Sequence, residues 1–144
     1  MVESLDDLRD AFGIREEVFI REQKFIEEFD EIDTKAWHIV LYDNKTPVAT
    51  GRIFEDAGYP GGWRLGRIAV LRAYRGQRLG ALLLREMEIK SRALGGSFAI
   101  LGAQCRAKGF YEKSGYTACS EPYYEEYCEH ILMRKPLKNP ETIG

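Results

Sequence analysis

The chain has 144 residues, of which 44% are hydrophobic and 31% are charged, which is typical of one folded domain and excludes a disordered chain. No apolar run reaches the roughly 18 residues of a membrane helix, and the acidic opening "MVESLDDLRD" lacks the apolar stretch of a secretory signal. The net charge of −2 argues against a nucleic-acid partner. We expect one cytoplasmic domain over residues 1–144, with a frayed tail over 136–144 and no membrane partner.

The first half of the chain predicts a helix followed by three strands. Ser4 and the acidic turn after it predict a helix from about Leu5 to Gln23, and 24–33 is expected to be a polar loop. "WHIVLYD" is rich in residues that favour strands and ends in the turn "DNKT", and "PVATGRIFE" follows it, so we predict a hairpin. A third strand is predicted over 63–71.

The second half predicts alternating helices and strands. We predict a helix over 78–94, a buried strand over 97–103, a helix over about 104–114, and closing strands at "YTACS" and "HILMRK". The first of these helices is expected to bury its apolar stripe, namely Leu79, Leu82, Leu83, Met87 and Leu94. The fold class is therefore α/β, with a mixed central sheet flanked by helices.

The three cysteines, Cys105, Cys119 and Cys128, show no C-x-x-C spacing, and only two histidines accompany them. A zinc site needs closely spaced ligands. We therefore expect reduced thiols and no metal.

Residues 64–85 contain six arginines and no carboxylate. "RAYRGQRLG" lies between a predicted strand and a predicted helix, where free backbone N–H groups and the helix dipole favour an anion. Gly76 and Gly80 would let a phosphate approach the main chain, and Arg75 and Arg78 would add guanidinium donors. The pattern predicts a phosphate site, although a solvated basic loop is the alternative.

"RIAVLRAYRGQRLGALLL" resembles the acetyl-CoA motif of the GNAT N-acetyltransferases, and "AQCRAKGFYEKSGY" resembles the later motif of the same family. The opening "IREEVFIREQ", with "DEID" and "WHIVLYD" after it, is similar to the small bacterial subgroup called ElaA- or YjcF-like. The resemblance covers roughly residues 8–135. It implies the GNAT fold, acetyl-CoA as cosubstrate and a primary amine as acceptor.

The resemblance implies that a strand ending at Ile68, Ala69 and Val70 pairs with the pantetheine arm and supplies the N–H that stabilises the oxyanion. It places the pyrophosphate at the following loop and helix start, and a pantetheine group at the amide of Gln104. The implied cofactor-binding residues are Ile68, Ala69, Val70, Arg75, Gly76, Gln77, Arg78, Leu79, Gly80, Ala81 and Gln104.

Arg78 departs from the family pattern, which has glycine at this position. We expect arginine to be acceptable because a helical position near the N-terminus does not require a positive φ angle. Its guanidinium either crowds the pyrophosphate or binds it, and we expect acetyl-CoA binding to be retained.

Tyr111 matches the tyrosine of the family that protonates the departing thiolate, although a packed aromatic is the alternative. The general base is open between Glu55, which ends a strand, and His38, whose residue type titrates near neutral pH; a water chain is a third possibility. Glu31 and Asp33 could attract a cationic amine, or they could serve solubility.

We therefore predict an N-acetyltransferase that moves the acetyl group of acetyl-CoA to a primary amine, on a small molecule, by direct attack in a ternary complex. An acyl-CoA sensor of the same fold without turnover is the alternative. The three tyrosines Tyr123, Tyr124 and Tyr127 are expected to line the acceptor site or to form a homodimer surface.

Overall fold

A computed structural model describes residues 2–6, 8–22, 31–125 and 128–137. The strands are β1 (Val2–Asp6), β2 (Trp37–Asp43), β3 (Thr46–Glu55), β4 (Gly62–Val70), β5 (Phe98–Gln104), β6 (Thr117–Ala118), β7 (Tyr123–Glu125) and β8 (Cys128–Pro136). The α-helices are α1 (Leu8–Arg15), α2 (Leu79–Ala93) and α3 (Lys108–Lys113). A π-helical segment (Glu16–Glu22) follows α1, and single 3₁₀ turns span Glu31–Thr34, Arg72–Tyr74 and Cys105–Ala107.

The strands form a single mixed sheet in the order β1-β2-β3-β4-β5-β8-β6, and β7 also pairs with β8. The one parallel pair in the described sheet is β4 with β5. A parallel connection needs a crossover, and α2 supplies it. The predicted mixed sheet flanked by helices is confirmed.

The two faces of the sheet bury different helices. Ile39 and Leu41 of β2 join the core cluster under α2, whereas Val40 and Tyr42 join the cluster under α1. Successive side chains of a strand point to opposite faces, so α1 and α2 lie on opposite sides of the sheet. None of the described helices is long and apolar enough to cross a membrane.

The predicted first helix is wrong at its start. Residues 2–6 form β1, which pairs antiparallel with β2 from Val2 opposite Asp43 to Asp6 opposite Ile39. The helix begins at Leu8 instead. Backbone hydrogen bonds to β2 stabilise an extended chain here, and this contact across more than thirty residues leaves no local signal in "VESLD". The end at Gln23 lies outside the described residues.

The predicted hairpin and the strands after it are confirmed within one or two residues. β2 and β3 pair around Asn44 and Lys45, and Asn44 has a φ angle of 60°, which asparagine tolerates in tight turns. The short strand β7 was not predicted. The predicted frayed tail over 136–144 is wrong at its start, because Pro136 ends β8 and the N–H of Leu137 donates a hydrogen bond of 2.9 Å to the carbonyl oxygen of Ser97. Residues 138–144 lie outside the described residues.

The buried face of α2 differs from the predicted stripe at one position. Leu82 is 36% exposed and Leu84 is 1% exposed, so the prediction for Leu82 is wrong. The helix begins at Leu79, and Leu83, Leu84 and Met87 form its contact with the sheet. This contact fixes the direction in which the first turn of α2 faces.

Candidate active site

The cleft between β4 and β5

The parallel strands β4 and β5 pair only at their beginnings. Gly62, Trp63 and Arg64 lie opposite Phe98, Ala99 and Ile100, and no ladder pair joins the two strands beyond Arg64 within the described chain. A cleft of about 1160 Å³ opens there, between β4 from Leu65 to Ile68 and β5 from Leu101 to Gln104. The cleft therefore exposes one edge of β4 at the centre of the sheet.

A bulge in β4 accompanies the separation of the strands. Thr50 lies opposite Ala69, and Arg52 lies opposite Gly66. The interval between these two pairs is therefore two residues on β3 and three residues on β4. Arg67, inside the bulge, has a φ angle of 51°. A bulge bends its strand, and this one turns β4 away from β5.

The three predicted contacts on β4 differ in position. Ile68 lines the cleft. Ala69 is 2% exposed and packs in the cluster under α1, whereas Val70 packs against the cluster under α2. Of the three, Ile68 alone lines the cleft, and it also packs against the cluster under α2; the backbone roles of all three stay predictions.

The loop before α2

The loop from Arg75 to Arg78 twists through two left-handed residues. Gly76 has a φ angle of 84°, and Arg78, which precedes the first turn of α2, has φ 62° and ψ 20°. The expectation that Arg78 adopts an ordinary helical conformation is therefore wrong. Glycine adopts this region freely and arginine does so at a cost, which explains why the family pattern has glycine here.

The N-terminus of α2 has no side-chain cap, because Arg78 makes no capping hydrogen bond. The first N–H groups of a helix lack partners within it, and in α2 these belong to Leu79, Gly80 and Ala81. A Cβ on Gly76 would meet nothing within 4 Å, whereas one on Gly80 would contact the Phe110 ring at 3.6 Å. The loop thus faces open space on one side and α3 on the other.

The Arg75 side chain is hydrogen-bonded to the end of β4. Its Nε donates a hydrogen bond of 2.9 Å to the carbonyl oxygen of Val70. This bond holds the loop against the strand whose edge is exposed in the cleft. The predicted contacts of Arg75, Gln77 and Arg78 with a pyrophosphate stay predictions.

Tyr111 and Gln104

Tyr111 on α3 lines the cleft. Its ring makes edge contacts with Phe110 and Tyr116, at centroid distances of 5.0 and 5.8 Å. Burial raises the pKa of Tyr111 to about 12, because a phenolate would lose its hydration. The hydroxyl is therefore protonated at neutral pH and able to donate a proton.

Gln104 ends β5 and also lines the cleft. Its side-chain oxygen accepts a hydrogen bond of 2.8 Å from Nε of Arg106. The predicted contact of this amide with pantetheine stays a prediction.

Predicted residues that lie elsewhere

The two predicted bases lie outside the cleft lining. Glu55 is exposed at the end of β3, opposite Trp63. His38 is 3% exposed, contacts the Phe12 ring, and places Nε2 2.9 Å from the carbonyl oxygen of Asp33. Their roles as bases stay predictions, but the structure brings neither to the exposed edge of β4.

Asp33 is engaged in a buried ion-pair network. Its carboxylate accepts hydrogen bonds from Arg15 at 2.7 and 3.2 Å and from Arg52 at 3.1 Å, and its side chain is 3% exposed. These bonds hold the Glu31–Thr34 turn against α1 and β3. We therefore do not retain Asp33 as an acceptor-binding residue. The side chain of Glu31 lies outside the described part.

Further residues of the cleft

Several cleft residues were not predicted. On the β3–β4 side, Asp56 accepts a hydrogen bond of 3.1 Å from Arg64, and the Arg64 guanidinium lies over the Tyr59 ring. On the other side, Glu125 and His130 line the cleft. Tyr123, predicted as one of two alternatives, lines it as well. Tyr124 is 75% exposed and outside the cleft lining, and Tyr127 lies outside the described residues.

The alternating pattern of "HILMRK" indicates which face of the sheet His130 points to. Ile131 and Met133 are buried in the main core, so His130 and Leu132 point to the opposite face. The position of the cleft on that face could not be predicted from the strand alone.

Similar proteins

Known proteins match this chain over most of its length. Residues 10–137 match the acetyltransferase (GNAT) domain family. The uncharacterised N-acetyltransferase YjcF of Bacillus subtilis is 38% identical over 133 residues, covering 90% of this chain and 93% of that protein.

Solved structures agree with the sequence match. The crystal structure of Escherichia coli ElaA superposes with a TM-score of 0.84 at 26% identity, covering 94% of this chain and 99% of that one. An acyl-CoA N-acyltransferase from Pseudomonas aeruginosa superposes with a TM-score of 0.81 at 25% identity, covering 94% and 98%. The chain therefore belongs to the GNAT acetyltransferase family, in its ElaA- and YjcF-like subgroup.

Proposed function

We propose that the protein moves the acetyl group of acetyl-CoA to a primary amine of a small molecule, by direct attack in a ternary complex. The observation that carries the proposal is the exposed edge of β4 beyond Arg64, in the same cleft as the protonated hydroxyl of Tyr111. The edge offers backbone groups to an extended arm, and the hydroxyl offers a proton to a leaving thiolate.

The residues present fit acetyl-CoA in three ways. The β4 edge can pair with the amides of the pantetheine arm as another strand would. The N-terminus of α2 presents its free N–H groups and the positive end of the helix dipole to a pyrophosphate. The open space beside Gly76 leaves room for phosphate oxygens next to the main chain.

The chemistry proceeds as a single acyl transfer. The amine nitrogen forms a bond to the acetyl carbon and gives up a proton to a base, the carbon–sulfur bond breaks, and the sulfur receives the proton of Tyr111, which solvent then replaces. A backbone N–H of the β4 edge near Ile68 stabilises the negative charge on the carbonyl oxygen. Because burial keeps the Tyr111 hydroxyl neutral, the proton is available across the physiological pH range.

The acceptor end of the cleft supports a small amine. Phe54, Tyr59 and Tyr123 provide aromatic walls, and Asp56 and Glu125 provide carboxylates that attract a cation. A volume of about 1160 Å³ accommodates small ligands.

The experiment is a thiol-release assay with acetyl-CoA and a panel of spermidine, glucosamine, lysine, kanamycin and a peptide with a free N-terminus. Amine-dependent release, with the acetylated amine detected by mass spectrometry, supports the proposal. Calorimetric binding of acetyl-CoA without release with any amine would instead support a sensor without turnover.

A further inference from the structure

His130 belongs to a row of three side chains that crosses the sheet at the cleft. It lies opposite Tyr123 of β7 on one side and opposite Gln104 of β5 on the other. Directly paired residues point to the same face of a sheet, and all three line the cleft. The row ends at Gln104, in the part of β5 that no longer pairs with β4.

The imidazole of His130 is held in one orientation. Its Nδ1 lies 2.9 Å from the carbonyl oxygen of Cys128, and a carbonyl can only accept, so Nδ1 carries the proton. The Tyr123 ring stacks on the imidazole at a centroid distance of 5.9 Å and an angle of 26°. In the neutral ring, the lone pair therefore resides on Nε2.

A carboxylate faces this second nitrogen. Oε2 of Glu125 lies 3.9 Å from Nε2 of His130. This distance is within the range of an ion pair. The carboxylate is half exposed, so water screens the interaction but does not remove it.

The other histidine is arranged differently. Nε2 of His38 faces the carbonyl oxygen of Asp33, and His38 is absent from the cleft lining. The chain has only these two histidines. His130 is thus the imidazole that the fold brings to the acceptor side of the cleft.

We propose that His130 is the general base of the acetyl transfer, and that Glu125 is a positioning residue for it; this inference rests on the proposed function. Nε2 accepts a proton from the amine nitrogen as the nitrogen–carbon bond forms. Tyr111 gives a proton to the sulfur as the carbon–sulfur bond breaks. One proton thus passes from nitrogen to sulfur overall, and both side chains are restored by exchange with solvent.

Several charged and titratable groups surround the proposed base. Tyr123 and Glu125 face it from β7, and Gln104, bonded to Arg106, faces it from β5. Burial raises the pKa of Tyr123; Glu125 adds to this effect and Arg64 opposes it. Cys105 and Tyr59 are also in electrostatic contact with Tyr123. A pH profile must therefore be compared between variants that differ at one of these groups.

The test measures kcat for thiol release against pH, at saturating acetyl-CoA and with the most active amine of the panel above. The wild type should lose activity as the pH falls, because a base that already holds a proton cannot accept one from the amine. His130→Gln should lower kcat by about 10²-fold or more and abolish this decline. Glu125→Gln should lower kcat by less than His130→Gln does and leave the affinity for acetyl-CoA within about threefold of wild type, because it removes a contact of the imidazole and keeps the base itself.

Controls separate this role from folding and from the proposed function. Glu129→Gln removes a charge from the next residue of β8, outside the cleft lining, and should keep the wild-type profile. His130→Ala should regain activity when free imidazole is added, and calorimetric affinity for acetyl-CoA should stay within about threefold of wild type.

Three outcomes overturn the inference. They are a retained decline in His130→Gln, loss of the decline in His38→Gln instead, or His130→Ala that binds acetyl-CoA but does not respond to imidazole. If the wild type itself releases no thiol with any amine, the proposed function fails and this inference with it. Wild-type turnover with an unaffected His130→Gln overturns the inference alone.

Discussion

Gly76 and Arg78, two residues apart in the loop before α2, both hold positive φ angles, of 84° and 62°. The loop enters the left-handed region twice, and the second of these residues, Arg78, directly precedes the first turn of α2. Arginine at the second position has two effects. Its backbone is strained by the positive φ angle, and its guanidinium places a positive charge next to the predicted phosphate site. These two effects can be separated by substitution.

Arg78→Gly should be more stable than Arg78→Ala by about 1 kcal/mol, because only glycine adopts this conformation without a Cβ penalty. Both variants should bind acetyl-CoA about 3- to 10-fold more weakly than wild type if the guanidinium contacts the pyrophosphate. Urea unfolding and calorimetry measure the two effects. Tighter binding by Arg78→Gly would show that the side chain obstructs the phosphate, and unchanged binding would show that the guanidinium does not contact it.

Tyr111→Phe should lower kcat for thiol release by about 10²-fold or more, because the leaving sulfur loses its proton donor. The affinity for acetyl-CoA should change little, since the ring and its contacts with Phe110 and Tyr116 remain. Steady-state kinetics measures kcat, and calorimetry measures the affinity for acetyl-CoA. Full turnover by this variant would exclude the acid role, and Tyr124→Phe, at an exposed position, is the matched control.

The fold should lose stability above pH 10 through Tyr111. The hydroxyl has a pKa of about 12 in the fold and about 10 in the unfolded chain, so the folded state binds more protons in this interval. The contribution of Tyr111 to the free energy of unfolding is fully present below pH 10. It falls by about 1.4 kcal/mol per pH unit as the pH rises toward 12. Urea unfolding of Tyr111→Phe should show a shallower decline than wild type, and an identical slope would contradict the buried position.

Asp33→Asn should destabilise the fold by about 3–5 kcal/mol, because two buried guanidinium groups lose their shared carboxylate. Glu112→Gln is the control: its exposed pair with Lys108 has a distance of 4.0 Å and should contribute less than about 0.5 kcal/mol. Chemical denaturation measures the free energy of unfolding of both variants and of the wild type. A loss below about 1 kcal/mol in Asp33→Asn would contradict the network.

Gly102→Ala should lower turnover while the chain stays folded. A Cβ at Gly102 would lie 2.5 Å from the Tyr123 hydroxyl oxygen, so the Tyr123 side chain must move, and with it the ring that stacks on His130. Gly109→Ala, where a Cβ meets nothing within 4 Å, should leave turnover near wild type. Equal activities would show that the stacked ring does not position the imidazole.

Much of the fold could be predicted from sequence because the patterns involved are local. The hairpin, α2 and the β4–β5 crossover follow from alternation, helical periodicity and turn residues. β1 could not be predicted, because its extended conformation depends on pairing with β2. The short β7 depends in the same way on β8.

The site was predictable where a motif covers it and not elsewhere. The loop before α2 and Tyr111 lie within two motifs, whereas His130 becomes a candidate only when the sheet places it beside β5. Asp33 belonged to an acidic stretch in sequence, but Arg15 and Arg52, 18 and 19 residues away, enclose it. Such long-range pairs leave no local pattern.

The most direct test of the account is the product balance of the reaction with acetyl-CoA and the amine panel. Free CoA thiol and acetylated amine should form in equal amounts, neither should form without amine, and Tyr111→Phe should slow the formation of both alike. Tight binding of acetyl-CoA with no acetylated amine from any acceptor would contradict it.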